Sequence, residues 1–158
     1  MSATEFPFIR LRENDTPKPI VWVLLTNAHK PSRSLICPAL TDTGADCTTV
    51  PHTLCRLLGH VFAKGTQPSL AYGVGKKPVR AFSHSSILTV LQPSPTLTPN
   101  PSKKAFGPLS LTIEFIEQDL PFLLLGQEDF LEHFAYHQVR ALRRFSLRPY
   151  EGERGSSK

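Results

Sequence analysis

Fifteen prolines are spread through 158 residues, and they restrict the fold before any motif is read. Inside a helix each would remove an amide donor and collide with the preceding turn. They therefore suggest strands, turns and loops, not long helices. With 40% hydrophobic and 20% charged residues, it has the apolar material for one core. The expectation is an all-β fold, mainly β with one or two short helices, in a single domain over residues 1–150.

Hydrophobic patterning places the elements. "FPFIRLR", residues 6–12, reads as a short strand, and "NDTPKP" as a turn. Ile20 to Leu25 reads as a buried strand. Ser34 to Thr41 reads as its return, with Pro38 marking an edge or a bulge. "PHTLCRLLG" reads as a short helix with Leu54, Leu57 and Leu58 on one face and Gly59 ending it. Two β-like runs flank Gly73 to Gly75, a hairpin signal. Ser85 to Leu91 is a further strand. Residues 92–108, rich in Pro, Ser and Thr, read as a long exposed loop or insertion. Leu109, Leu111, Ile113 and Phe115 alternate onto one face of a strand, and "LPFLLLG" is an apolar strand ending at Gly126. "QEDFLEHF" reads as a short helix with acids in its first turn. "AYHQV" and "RFSLRP" read as two strands around an Arg-rich turn, and residues 151–158 as a disordered tail.

Several function classes recede on composition. The net charge is +5 and the pI about 9.3, which would suit nucleic acid. But the cations sit in small clumps (Lys76 and Lys77, Lys103 and Lys104, Arg143 and Arg144), and no nucleic-acid-binding motif is present. A solvated basic surface is expected, with nucleic acid an unlikely partner. "IVWVLL" is far too short to span a bilayer, and no signal-peptide apolar region follows Arg10 and Arg12. The expectation is a cytoplasmic chain, or one released from a precursor, with no membrane partner. Cys37, Cys47 and Cys55 are odd in number and form no CxxC pair, so reduced, buried thiols are expected. With His52 they fit no common zinc spacing. No metal or cofactor is expected.

The chemistry concentrates in "LTDTGADCTTV", Leu40 to Val50. An apolar strand ends, and Asp42 and Asp46 flank a tight turn through Thr43, Gly44 and Ala45. Hydrolysing a peptide bond with neither metal nor nucleophilic side chain needs one carboxylate to accept a proton while another donates one. Two close Asp side chains do both, because like charges a few ångströms apart resist ionising together. The order of pieces is strand, Asp-Thr-Gly-Ala, helix, glycine-containing hairpin, strands, then Leu124-Leu125-Gly126 with "EDFLEHF" behind. It resembles the retroviral-type (retropepsin-like) aspartic proteases, the single-domain branch of the pepsin superfamily. The resemblance covers nearly the whole chain apart from residues 92–108. A cellular or bacterial member fits as well as a viral one.

That resemblance implies a closed β-barrel of the acid-protease type, forming half of an active-site dimer. The chain carries one Asp-Thr-Gly, so the second carboxylate must come from another copy across a two-fold axis. Asp42 would be catalytic, and Thr43 would brace the paired loops. Gly44 would admit substrate backbone, and Ala45 would complete the loop. Asp46 would bind substrate main chain. Tyr72, Gly73, Val74 and Gly75 would form a flap that closes over substrate, and Leu124, Leu125 and Gly126 would support the catalytic loop from behind. The implied activity is that of an aspartic endopeptidase, a homodimer acting on a peptide or protein substrate. Three departures stand out. Gln127 occupies the place where many family members carry an Arg that pairs with the second Asp, leaving Asp46 without its cation unless Arg10 or Arg12 supplies one. Val74 separates only two flap glycines. The 92–108 stretch has no counterpart.

Plainer roles compete at each position. Asp42 taken alone is a strand-end turn former, and Asp46 is equally a cap or surface charge. The six histidines are dispersed; His133 and His137 lack an HExxH pattern. The competing function is a catalytically weak module that keeps the fold for dimerisation or peptide binding.

Overall fold

A computed structural model describes residues 2–71, 77–94 and 98–150. Ten strands and one short α-helix follow in chain order: β1 (Thr4–Pro7), β2 (Ile20–Asn27), β3 (Lys30–Thr41), β4 (Thr49–Pro51), α1 (His52–Leu57), β5 (Thr66–Ala71), β6 (Val79–Leu91), β7 (Lys104–Ile116), β8 (Leu123–Leu125), β9 (Phe134–Val139) and β10 (Arg144–Pro149). The protein is thus mostly β, as the prolines suggest. No helix among the described residues is long and apolar enough to cross a membrane.

The larger sheet runs β2-β3-β8-β4-β7-β6-β5, and β2 also pairs with β6. That extra pairing closes β2 through β6 into a barrel and leaves β5 as an added strand. Alternation dictates which face turns inward. On β2, Val21, Val23 and Leu25 are fully buried while Trp22 and Leu24 are half-buried. On β7, Leu111, Ile113 and Phe115 are buried as the sequence predicts, with Leu109 at the margin. The β2–β3 turn is built by Asn27, which is 2% exposed. Its Oδ1 accepts the amides of His29 (2.8 Å) and Lys30 (3.1 Å), and its Nδ2 donates to Leu58 O (2.9 Å). One side chain therefore turns the hairpin and ties it to the end of α1. Pro38 lies just before the Ala39–Thr41 segment that pairs with β8. Its missing amide therefore costs no ladder bond on that side.

A second, smaller sheet runs β1-β10-β9, all antiparallel. Phe6 of β1 stacks on Phe145 of β10 within it at 5.3 Å, and Phe106 of β7 meets Phe134 of β9 at 5.2 Å, joining it to the barrel.

Four sequence expectations shift. The first strand is Thr4–Pro7 rather than 6–12; Phe6 is buried, and Ile9 only bridges to Lys18. The exposed loop is shorter than 92–108, because β7 starts at Lys104. Burial of Phe106 outweighs the local Gly-Pro signal, and register shifts on β6 between Leu88 and Leu91 absorb it. On α1 the buried position is Cys55, with Leu58 buried just past its end and Leu57 55% exposed. Finally, "QEDFLEHF" forms turns and a 3-10 segment, Leu131–His133, not an α-helix. Phe130, Leu131 and Phe134 are all buried, and the chain leaves for β9 at Phe134 before a second helical turn can form. The tail 151–158 and the expected flap residues Tyr72, Gly73, Val74 and Gly75 lie outside the described residues. The strands before and after the latter pair antiparallel, Ala71 opposite Val79.

Candidate active site

The Asp42 turn is assembled from two distant pieces of chain. β3 and β8 run parallel, Ala39 to Thr41 beside Leu123 to Leu125, so both strands end together. Where β3 stops, the amide of Asp42 donates to Leu125 O at 3.1 Å. The turn then closes on itself: Asp42 Oδ1 accepts the Gly44 amide at 2.9 Å, and Asp42 O accepts the Ala45 amide at 3.2 Å. This is an Asx-type turn. It fixes one carboxylate oxygen, while Oδ2 accepts no bond among the described residues. Asp42 is half-buried, with Thr43 and Gly44 exposed. A Cβ on Gly44 would stand 3.2 Å from Asp42 Oδ1, so glycine keeps the space beside the carboxylate open.

β8 and the residues that follow it lie against the loop. Leu124 pairs with both Leu40 and Thr49, and Leu125 is fully buried. Gly126 passes so close to the loop that a Cβ there would sit 2.3 Å from the Cys47 carbonyl carbon. No side chain fits. Beyond it, the amides of Gln127 and Glu128 donate to Ala45 O and Asp46 O, each at 2.9 Å.

The strongest clamp involves residues that sequence reading did not single out. Thr48 is fully buried. Its amide donates to Asp129 Oδ2 and its hydroxyl to Asp129 Oδ1, both at 2.7 Å, and Thr48 Oγ1 accepts the Gly126 amide at 3.2 Å. Charge-assisted bonds of this length are among the stronger polar contacts available to a loop. Thr48 carried a faint signal, a small polar residue between the acid turn and β4. Asp129 carried none, because the two lie 81 positions apart.

Asp46 is exposed, and among the described residues its carboxylate has no ion-pair partner. Neither Arg10 nor Arg12 supplies one: the Arg10 guanidinium reaches Glu13 O, and Arg12 engages Asp15 through its backbone amide. Gln127 takes another task, donating its side-chain amide to Thr43 O. The surroundings are acidic despite the basic chain. Burial raises the Cys47 thiol pKa, and Glu114, Asp129, Glu128 and Asp46 raise it further.

Beneath the loop, Thr41 Oγ1 lies 3.0 Å from Pro19 O and 3.2 Å from Tyr136 Oη, and Tyr136 in turn donates to Gln138. Desolvation raises the Tyr136 pKa. β9 is thereby fastened to the residue preceding Asp42. The structure also pairs two histidines that the sequence left apart. His60 and His84 lie 4.5 Å apart by ring centroids, and His84 Nε2 is 3.1 Å from Phe62 O. Burial, helped by His84, His29 and Lys30, pulls the His60 pKa down to about 4.

No family model matches the chain, and no curated protein matches it in sequence. Among solved structures it is similar to a retropepsin-like aspartic protease from Rickettsia conorii, with a TM-score of 0.51 and 15% identity over 92% of this chain and 91% of that one. At that identity the likeness is one of fold: a retropepsin-like barrel carrying an Asp-Thr-Gly turn at the end of β3.

Proposed function

We propose that the protein is an aspartic endopeptidase that works as a homodimer, with Asp42 of each chain facing the other across a two-fold axis. The observation that carries this reading is the state of Asp42. It sits at the end of a barrel strand with one oxygen held by the Gly44 amide and the other left without a partner among the described residues. The fold likeness supports the same reading.

In such a dimer the two carboxylates share one proton and titrate as a pair. The ionised one takes a proton from water as the water oxygen bonds to the peptide carbonyl carbon. The protonated one gives its proton to the carbonyl oxygen. Collapse of the resulting gem-diol breaks the C–N bond, with a proton passing to the leaving amine. Gly44 leaves room for substrate backbone. Exposed Asp46, with no ion-pair partner among the described residues, offers an acceptor for substrate amides. Tyr72, Gly73, Val74 and Gly75 close over the bound peptide.

The test is to incubate wild type and Asp42→Asn with a diverse peptide library at mildly acidic and at neutral pH and read cleavage by mass spectrometry. Cleavage by wild type that is absent in the variant is the expected outcome. Equal cleavage, or none in either, refutes the assignment.

A further inference from the structure

The small sheet has two outer edges, and they are unlike. In an antiparallel ladder, residues that exchange both backbone bonds recur at every second pair. The Tyr150 amide donates to His133 O at 2.8 Å, which sets the phase. Given the register of β9 and β10, Ala135, His137 and Val139 turn their backbone groups toward β10. Phe134, Tyr136 and Gln138 turn theirs outward. On the other side, the Phe8 amide donates to Arg143 O at 2.7 Å. With the β1–β10 register, Thr4 and Phe6 face β10 while Glu5 and Pro7 face out.

The β1 edge is therefore blunted. Pro7 has no amide to offer, and Glu5 carries a charge paired to Arg144 at 2.9 Å. The β9 edge has none of the usual guards: FAYHQV contains no Pro, Lys or acid. Along it Tyr136 and Gln138 each present an N–H and a C=O that meet no partner among the described residues, while the Phe134 amide donates back to Leu131 O and leaves only its carbonyl to the edge. Exposed edges of this kind are pairing surfaces.

We infer that the β9 edge is the dimer-forming edge, pairing antiparallel with β9 of a second copy so that Tyr136 lies opposite Tyr136 of the partner subunit. The inference rests on the proposed function, in which the site is incomplete without that copy. Two features select this occupant. An isologous pair needs one strand to be its own complement, and about an axis at Tyr136 the Tyr136 amide and carbonyl meet the carbonyl and amide of Tyr136 of the partner subunit, while the Gln138 amide meets the carbonyl of Phe134 of the partner subunit. Tyr136 is also hydrogen-bonded to Thr41, the residue before Asp42. Placing the axis at Tyr136 therefore draws both catalytic turns toward the same axis. β1 takes no part in the exchange, because it is already paired with β10 of its own chain.

The experiment is sedimentation equilibrium on wild type, Gln138→Pro and Gln138→Ala. Proline at 138 removes an outward amide and leaves the β9–β10 ladder intact. By symmetry it deletes one bond from each chain, so the dissociation constant should rise about tenfold or more. Alanine loses only the side-chain contact to Tyr136 and should stay within about threefold of wild type. Circular dichroism shows whether the proline variant is folded. Should it not be, Tyr136→Cys decides: opposed Cα atoms about 5.5 Å apart are within disulfide reach. Mild oxidation should then give a covalent dimer whose link maps to position 136. A wild-type dimer that survives Gln138→Pro unchanged, or that gives no 136–136 link, overturns the β9 pairing and leaves the peptidase reading intact. A wild type that cleaves peptides as a monomer overturns both.

Discussion

The contact between Thr48 and Asp129 offers the sharpest test of how this site is held, because a double-mutant cycle isolates it. Asp129→Ala removes two charge-assisted bonds and strands a buried amide and a buried hydroxyl on Thr48. Hydrogen bonds to charged groups contribute about 1.5–3 kcal/mol each. The Asp129 carboxylate is half-exposed, so water can replace part of what is lost, and about 3 kcal/mol in total is expected. Thr48→Val keeps the shape, deletes the hydroxyl and frees the Gly126 amide, at a cost of about 1.5 kcal/mol. Only the hydroxyl–carboxylate bond is common to both changes.

The double variant should therefore be less destabilised than the sum of the singles by about 1 kcal/mol. Urea unfolding of all four proteins at neutral pH measures this. Additivity to within about 0.3 kcal/mol would mean that the two side chains do not communicate. The loop would then be held by its backbone bonds to Ala45 and Asp46, and not by the Asp129 clamp.

Two further outcomes follow from the same geometry. Gly126→Ala should destabilise by more than about 3 kcal/mol, because its Cβ meets backbone and not a movable side chain; an unfolding midpoint near that of wild type would contradict the close approach to Cys47. His60, with its folded pKa near 4 against an ordinary 6.5, makes stability fall as pH drops from 6.5 toward 4, since there the unfolded chain binds a proton that the native ring refuses. A fully buried shift of that size is worth about 3 kcal/mol, and the partial exposure of the ring reduces it to about 1–2 kcal/mol; His60→Phe should lose less stability than wild type between pH 7 and pH 4.5 in urea titrations, and parallel losses would refute the assignment.

What the sequence discloses and what it hides divide along physical lines. Asp42, Thr43, Gly44 and Ala45 are legible because a turn chemistry and a strand ending coincide within a few residues, so the motif is local. Leu124, Leu125 and Gly126 are legible for the same reason: an apolar run stops at a glycine. The barrel's alternating strands follow from period-two patterning. Asp129 is hidden because its meaning depends on Thr48, which only the parallel pairing of β3 with β8 brings near. Phe106 is hidden because Gly and Pro beside it speak for a loop, and its burial against Phe134 becomes visible only once β9 is in place.

Gln127 shows the limit of reading one position at a time. Against the family pattern it looks like a missing cation, which leaves Asp46 unanchored. In the fold it contributes its own amide to Ala45 O and its side chain to Thr43 O, so it braces the turn through neutral bonds from two directions. Asp129 supplies the charge-assisted clamp one residue beyond Glu128. Among the described residues the loop is thus fastened without engaging the Asp46 carboxylate. An acid released from structural duty, exposed four residues past Asp42, the turn partner of Ala45, is one that substrate main chain can use. Gln127 in place of a cation therefore agrees with the proposed role of Asp46 as a substrate-binding group, the role the resemblance implies for it.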